Sequence, residues 1–175
     1  MLNREYFLNK FKEQFKLKSL TQNQVDGIEA IFHEWELSEN TDMRWLAYAL
    51  ATTWHETART MWPITEYGSQ KYLRSKKYWP YIGRGFVQLT WKYNYEKYGI
   101  ADEPELALDL TFASHVLIHG MVNGIFTGKK LNNYFSETKN DPIGARKIIN
   151  GTDKAELIAG YHYKFLDALN YTKGV

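Results

Sequence analysis

Apolar residues recur along most of the chain at intervals of three and four, the spacing of one helix face. Phe7, Leu8, Phe11 and Phe15 share such a face, with Arg4, Lys10, Lys12 and Lys16 among the intervening positions, which predicts an amphipathic first helix. That helix can serve a core with its lysines solvated, or lie on an anionic membrane surface. Thr21 followed by Gln24 is a capping-box pattern, and Val25, Ile28, Ile31, Phe32 and Trp35 carry a second stripe to position 37. After a polar break over 38–41, Met43, Leu46, Ala47, Leu50, Ala51 and Trp54 predict a third helix running to Arg59, with His55 and Glu56 in its last turn.

From Met61 to Arg84 the periodicity fails. Pro63, Gly68, Pro80 and Gly83 punctuate a stretch rich in Tyr and Trp that has room for a short β-hairpin, and long loops of this kind carry binding residues. Helical spacing resumes at Thr90 and is stopped by Gly99, and 102–104 reads as a turn. Phe112, Val116, Leu117 and Met121 predict a helix over 111–123, and Asp141 before Pro142 starts a short one that Gly151 ends. A cap pattern from Asp153 to Glu156 opens the final helix, carried by Leu157, Tyr161, Phe165, Ala168 and Leu169. Without repeats or linkers, the expectation is a single, mainly α domain over 1–175 with one functional loop region between 56 and 95.

Composition narrows the chemistry. A chain of 175 residues buries roughly two-thirds of its unfolded surface, enough for one core. Lys and Arg number 22 against 20 Asp and Glu, a formal +2, too balanced for an obligate polyanion binder, so nucleic acid is not an expected partner. The start of the chain carries charges where a signal peptide needs an apolar stretch, and no stretch is long and apolar enough for a membrane span. The expectation is a protein that folds in a cytoplasm. Cysteine is absent, which removes disulfides, thiolate metal sites and thiol nucleophiles and leaves carboxylates, His, hydroxyls and amides. The 6 Trp, 13 Tyr and 9 Phe exceed what such a core requires, and flat rings suit sugar faces and nucleobases alike.

Five constellations could use those groups. His55-Glu56-Thr57-Ala58-Arg59 begins like a zinc-protease helix, but Arg59 stands where a second His is needed, so no metal is expected there. His115 and His119 can share a helix face but lack a carboxylate spaced to complete a site. Gly83-Arg84-Gly85 misses the dinucleotide fingerprint because Gln88 occupies the third small position. Its glycines mean that backbone passes close to a neighbouring strand or to a ligand. Lys71, Arg74, Lys76, Lys77 and Arg84 alternate with Tyr72, Tyr78, Trp79 and Tyr81 without an acid, a pattern that fits single-stranded nucleic acid, an anionic glycan or a solvated loop. Finally, Glu56 and Glu66 stand at a helix end and in the following loop. Inverting glycoside hydrolysis needs one carboxylic acid and one carboxylate roughly 6.5 to 9.5 Å apart, and Trp54, Trp62 and Trp91 could supply an apolar wall beside the acid.

Several segments together resemble glycoside hydrolase family 19, the chitinase-like family that also supplies phage and prophage endolysins. They are Trp54-His55-Glu56-Thr57, Ile64-Thr65-Glu66-Tyr67-Gly68, the long block Gly83-Arg84-Gly85-Phe86-Val87-Gln88-Leu89-Thr90-Trp91-Lys92-Tyr93-Asn94-Tyr95, and two downstream runs, 124–131 and 145–154. They occur in family order, and the first 40 residues carry no motif. The resemblance implies a lysozyme-like, mostly α fold with a substrate cleft and an inverting displacement on a β-1,4-linked N-acetylhexosamine polymer, without a cofactor. By position, Glu56 matches the general acid, Glu66 the general base and Thr90 the hydroxyl that holds the attacking water. Gln88, Tyr93, Asn94 and Asn150 match substrate-binding positions, and Arg84, Trp91 and Tyr67 in the same blocks complete the expected binding set. Plant members steady the catalytic carboxylate with an arginine near the start of the final helix and an acid after the Asn-Gly turn. Ile158 and Lys154 occupy those positions here, with Asp153 one place off. The phage-type motif variants imply a monomeric endolysin, a muramidase acting on peptidoglycan strands. It would be held in the host cytoplasm until another protein's pore releases it to the wall, its basic and amphipathic segments touching an anionic outer membrane in passing. A chitinase and a non-catalytic wall-binding module are the alternatives.

Overall fold

The computed structural model describes residues 2–170, and among them are seven α-helices, six at predicted places and one, over 70–74, inside the stretch where the periodicity fails. They are α1 (Arg4–Gln14), α2 (Gln22–Leu37), α3 (Met43–Glu56), α4 (Gln70–Arg74), α5 (Lys92–Lys97), α6 (Leu110–Asn123) and α7 (Ala155–Leu169). A two-stranded antiparallel sheet joins β1 (Ile64–Thr65) to β2 (Arg84–Gly85), with Ile64 opposite Gly85 and Thr65 opposite Arg84. The fold is mainly α. No helix among the described residues is long and apolar enough to cross a membrane.

The apolar face of α1 belongs to the core. Phe7 lies edge-on to Phe32 of α2 at 4.8 Å between ring centroids, and Phe11 contacts Trp54 of α3 at 5.3 Å and Phe165 of α7 at 5.4 Å. Each such ring, taken from water, contributes about 1.5 to 3 kcal/mol. α3 is the central element. The expected stripe understates it, because every residue from Leu46 to Trp54 is buried, as in a helix covered on all sides. α7 packs along α3, α6 packs on α2, and α1 closes over α7.

α3 ends at Glu56 rather than at the expected Arg59. Ala58, Arg59 and Met61 adopt left-handed backbone conformations (φ 48°, 70° and 52°), so the chain turns sharply and returns beneath α2. Its path is fixed at three points. The Thr57 hydroxyl accepts from the Met61 amide at 3.1 Å, the Gln24 side chain donates to the Arg59 carbonyl at 2.9 Å, and Gly27 abuts the Met61 carbonyl so closely that a Cβ there would collide with it. This strap seats the end of α3.

The expected hairpin is present, but residues 66–83 form a lobe between its strands instead of a tight turn. α4 lies within that lobe, started by Ser69, whose hydroxyl accepts from the Tyr72 amide at 3.2 Å. At the lobe's far foot, a Cβ on Gly85 (φ +85°) would stand 2.7 Å from the Ala107 carbonyl, in the 3-10 turn Pro104–Leu108. The close approach at Gly85 is therefore to neighbouring backbone, whereas a Cβ on Gly83 would stand 2.8 Å from the Gln88 side-chain oxygen.

Three boundaries differ from expectation. α5 begins at Lys92 rather than Thr90, because Trp91 sits before it at φ 74°. The short helix after Asp141 is a 3-10 turn, Gly144–Ile148, whose entry is held by Asp141 accepting from the Gly144 amide at 2.8 Å. Asp153 does not cap α7. Lys154 occupies the cap in a left-handed conformation without a side-chain bond, while the Asp153 carbonyl accepts from Arg146 Nε at 2.8 Å.

Candidate active site

A cleft of about 500 Å³ opens where the end of α3, the neck of the lobe and the segment leading into α5 meet. Glu56, Glu66, Gln88, Thr90, Trp91, Tyr93, Asn94 and Asn150 all line it, so eight of the residues singled out from sequence converge on one groove. Tyr78, Phe126 and Thr127 add to its walls.

Glu56 projects from the last turn of α3 with its side chain 16% exposed. Its Oε1 accepts from Arg146 Nη1 at 2.7 Å, and the Arg146 side chain is 1% exposed. Guanidinium groups donate only. Oε1 is therefore committed as an acceptor, and a proton carried by Glu56 must sit on Oε2, which has no hydrogen bond among the described residues. Arg146 comes from the 3-10 turn and is fixed in turn by the Asp153 carbonyl. An arginine thus braces the Glu56 carboxyl group from a position nine residues before the start of α7. Ile158, at the position expected from plant members, is buried in the core. Burial lowers the pKa of the neighbouring His55 below its ordinary value, so this imidazole adds little positive charge beside Glu56 at neutral pH.

Glu66 is held at both oxygens. Tyr78 donates its hydroxyl to Oε1 at 2.8 Å, and the Gly83 amide donates to Oε2 at 3.1 Å. The Glu66 amide donates back to the Gly83 carbonyl at 2.7 Å. Desolvation, and then the bond to Glu66, push the Tyr78 hydroxyl up to about 12, so it stays a donor across the neutral range.

The polar residues of the cleft are already partly engaged, which sets what they can still offer. The Gln88 amide nitrogen donates to the Ile64 carbonyl at 3.0 Å and the Gly85 carbonyl at 3.3 Å. Only its oxygen is left to read a ligand. The Thr90 hydroxyl donates to the Gln88 carbonyl at 2.7 Å, so toward a water it acts as an acceptor. Asn94 donates to the Thr90 carbonyl at 2.8 Å. The Asn150 side chain has no hydrogen bond among the described residues and is free to bind. Trp91 and Tyr93 stack at 6.4 Å with 20° between ring planes, and both are exposed, a flat apolar surface suited to a sugar face.

Two expected binding residues lie elsewhere. Arg84 is 6% exposed and donates to the Pro80 carbonyl at 3.1 Å and the Tyr95 hydroxyl at 3.0 Å, with Glu105 at 3.4 Å. It staples the lobe to the turn before α6 and does not line the cleft. Tyr67 is exposed outside the groove. The apolar wall is also smaller than expected, since Trp54 is buried among Phe11 and Phe15, Trp62 does not line the cleft, and only Trp91 does. His115 and His119 do stack, at 5.0 Å, with His115 Nδ1 2.9 Å from Glu34. Even so, among the described residues no group of three or more His, Cys, Asp or Glu is placed to hold a metal ion.

Comparison with family models, with curated proteins and with solved structures finds no match to this chain. The functional reading therefore rests on the geometry of the cleft and on the motif resemblance. Two contributors were not singled out from sequence. Arg146 is a cation buried with Ala145 and Ile148 beside an exposed Lys147, and nothing in the sequence marks which of the two adjacent cations is paired. Tyr78 looked like one more ring in an aromatic run.

Proposed function

We propose that this chain is a glycoside hydrolase of the endolysin type, cutting the β-1,4 bond between N-acetylmuramic acid and N-acetylglucosamine in peptidoglycan by a single inverting displacement. The reading includes a lysozyme-like α fold and kinship with glycoside hydrolase family 19. The observation that carries it is one cleft lined by two carboxyl groups with contrasting surroundings. Glu56 has one oxygen anchored by a buried guanidinium and the other open for a proton. Glu66 has both oxygens accepting hydrogen bonds, the arrangement of a group that works as a carboxylate.

In the proposed reaction, Glu56 gives the proton on Oε2 to the bridging oxygen as the bond to the anomeric carbon breaks. Glu66 takes a proton from a water that attacks the opposite face of the sugar, and Thr90, with its own proton committed, accepts the second hydrogen of that water. Trp91 and Tyr93 cover sugar faces, while the Gln88 oxygen and the Asn150 amide reach acetamido and hydroxyl groups.

Digesting purified peptidoglycan and identifying the new reducing ends by mass spectrometry tests this reading. N-acetylmuramic acid should appear at those ends, and Glu56→Gln, which removes the proton donor, should lower turnover at least about 10³-fold while glycan binding persists. Ends carrying N-acetylglucosamine alone, or chitin oligomers cut far faster than wall, would replace the muramidase by a chitinase. Undiminished lysis by the variant would remove Glu56 from its role.

A further inference from the structure

We propose that the lobe over 66–83 is a docking platform for the carboxylates of the peptides that branch from a peptidoglycan strand lying in the cleft. The inference rests on the cleft being a glycan groove and names the part of the substrate that the groove itself does not read.

Its first support is charge. No Asp or Glu occurs between Glu66 and Glu96, whereas the lobe carries Lys71, Arg74, Lys76 and Lys77. None of the four has a carboxylate partner among the described residues, in contrast to Arg4, Arg44, Arg84 and Arg146, each of which is ion-paired. Two of the lobe cations rest on rings instead. Lys76 Nζ lies 3.9 Å from the Tyr72 ring centroid and the Arg74 guanidinium 5.7 Å from that of Trp79. Ring contact restrains a cation without neutralising it, so the surface stays positive and partly ordered.

The second support is position. The lobe's two feet, Glu66 and Gly83, are themselves cleft wall, and Tyr78 within it lines the groove with its ring edge-on to Trp91 at 5.3 Å. A ligand leaving the groove on this side meets the platform directly.

The charges of the two regions also select between polyanions. A nucleic acid carries a negative charge on every backbone unit and would bring phosphates against Glu56 and Glu66. A peptide-bearing glycan is neutral along its sugar rings and anionic on its branches. That pattern matches an acidic groove beside a cationic lobe.

Cosedimentation with purified sacculi, freed of other anionic polymers, tests the platform without turnover. Both proteins carry Glu56→Gln, and one also carries Lys71→Gln, Arg74→Gln, Lys76→Gln and Lys77→Gln. The parent should bind sacculi at least about tenfold more tightly than the lobe variant, and that advantage should shrink as salt is raised. It should also vanish on insoluble chitin, whose strands carry neither peptides nor lactyl groups. Thermal unfolding checks that the exposed substitutions leave the fold intact. Equal binding by the two proteins, an equal advantage on chitin, or tighter retention of single-stranded DNA than of sacculi overturns the platform. A wild-type chain that cuts sacculi while retention ignores the lobe sinks the docking alone. One that binds through the lobe and never cuts sinks the hydrolase alone.

Discussion

Replacing Arg146 by Met separates what this residue does for the fold from what it does for the proposed reaction. The side chain is 1% exposed and spans from the Asp153 carbonyl, at 2.8 Å, to Glu56 Oε1, at 2.7 Å. A hydrogen bond between charged groups contributes about 1.5 to 3 kcal/mol, and orphaning the Asp153 carbonyl costs about 1 kcal/mol more. Against this, a buried guanidinium carries a desolvation penalty of several kcal/mol that Met of similar volume does not. Glu56, left alone, still faces an open cleft and can be hydrated. The opposing contributions predict a net destabilisation of only about 0 to 2 kcal/mol. Catalysis has no such compensation. The carboxyl group loses the contact that aims it, and misplacement by about 1 Å costs on the order of 10²-fold, equivalent to about 2.7 kcal/mol of barrier. Urea unfolding and wall-lysis rates on the same preparation give both numbers. In a double-mutant cycle, adding Arg146→Met to Glu56→Gln should cost little further activity. Lysis within threefold of wild type for Arg146→Met would refute the bracing role, and full additivity in the cycle would show that Arg146 acts apart from Glu56.

Two further outcomes follow from burial. His162 is fully buried between Phe135 and Tyr48 with neither ring nitrogen hydrogen-bonded, and burial, helped by Arg44 and opposed by Asp42, pulls it down to about 4. The unfolded chain, with an ordinary value near 6.5, binds the proton first as pH falls. This contribution is therefore fully present above about pH 6.5 and is lost on the way down to about pH 4, up to about 3 kcal/mol in all. Urea unfolding across that window should show a flatter pH dependence for His162→Phe than for wild type, and parallel curves would show that the imidazole is not the cause. Gly27→Ala should cost on the order of 2 kcal/mol, because the added methyl meets the Met61 carbonyl head-on and outweighs the ~1 kcal/mol that Ala gains in helix propensity. It should also lower lysis by shifting the strap that seats Glu56. An unchanged denaturation midpoint would mean that the strap yields.

Elements with a one-sided apolar stripe were legible because burial on one face leaves a period in the sequence. α1, α2 and α6 are of this kind. The all-round burial of α3 was not, since Tyr48, Thr52 and Thr53 are buried polar residues that a stripe count assigns to solvent. α4 was hidden for a similar reason: it exposes Lys71, Tyr72 and Arg74 and buries only Leu73. In the cleft, the two glutamates could be read because their residue types and placement suit acid and base, and the motif block carried the amides and rings beside them. The brace could not be read, because Arg146 meets Glu56 across 90 positions of sequence and no local pattern records the meeting. Arg84 shows the converse. Two glycines around a cation look the same whether the cation greets a ligand or staples backbone, and only the Glu105 and Tyr95 contacts decide it.

The ties on Glu66 have a practical corollary for redesign. One carboxylate oxygen is bound to a side chain inside the lobe and the other to the amide that closes it, so transplanting that whole insertion would also reset where the Glu66 carboxylate sits in the cleft. Libraries restricted to positions 70–77 leave both tethers in place and can vary the lobe surface without moving Glu66. Grafts that cross Tyr78 or Gly83 must import a matching pair of donors.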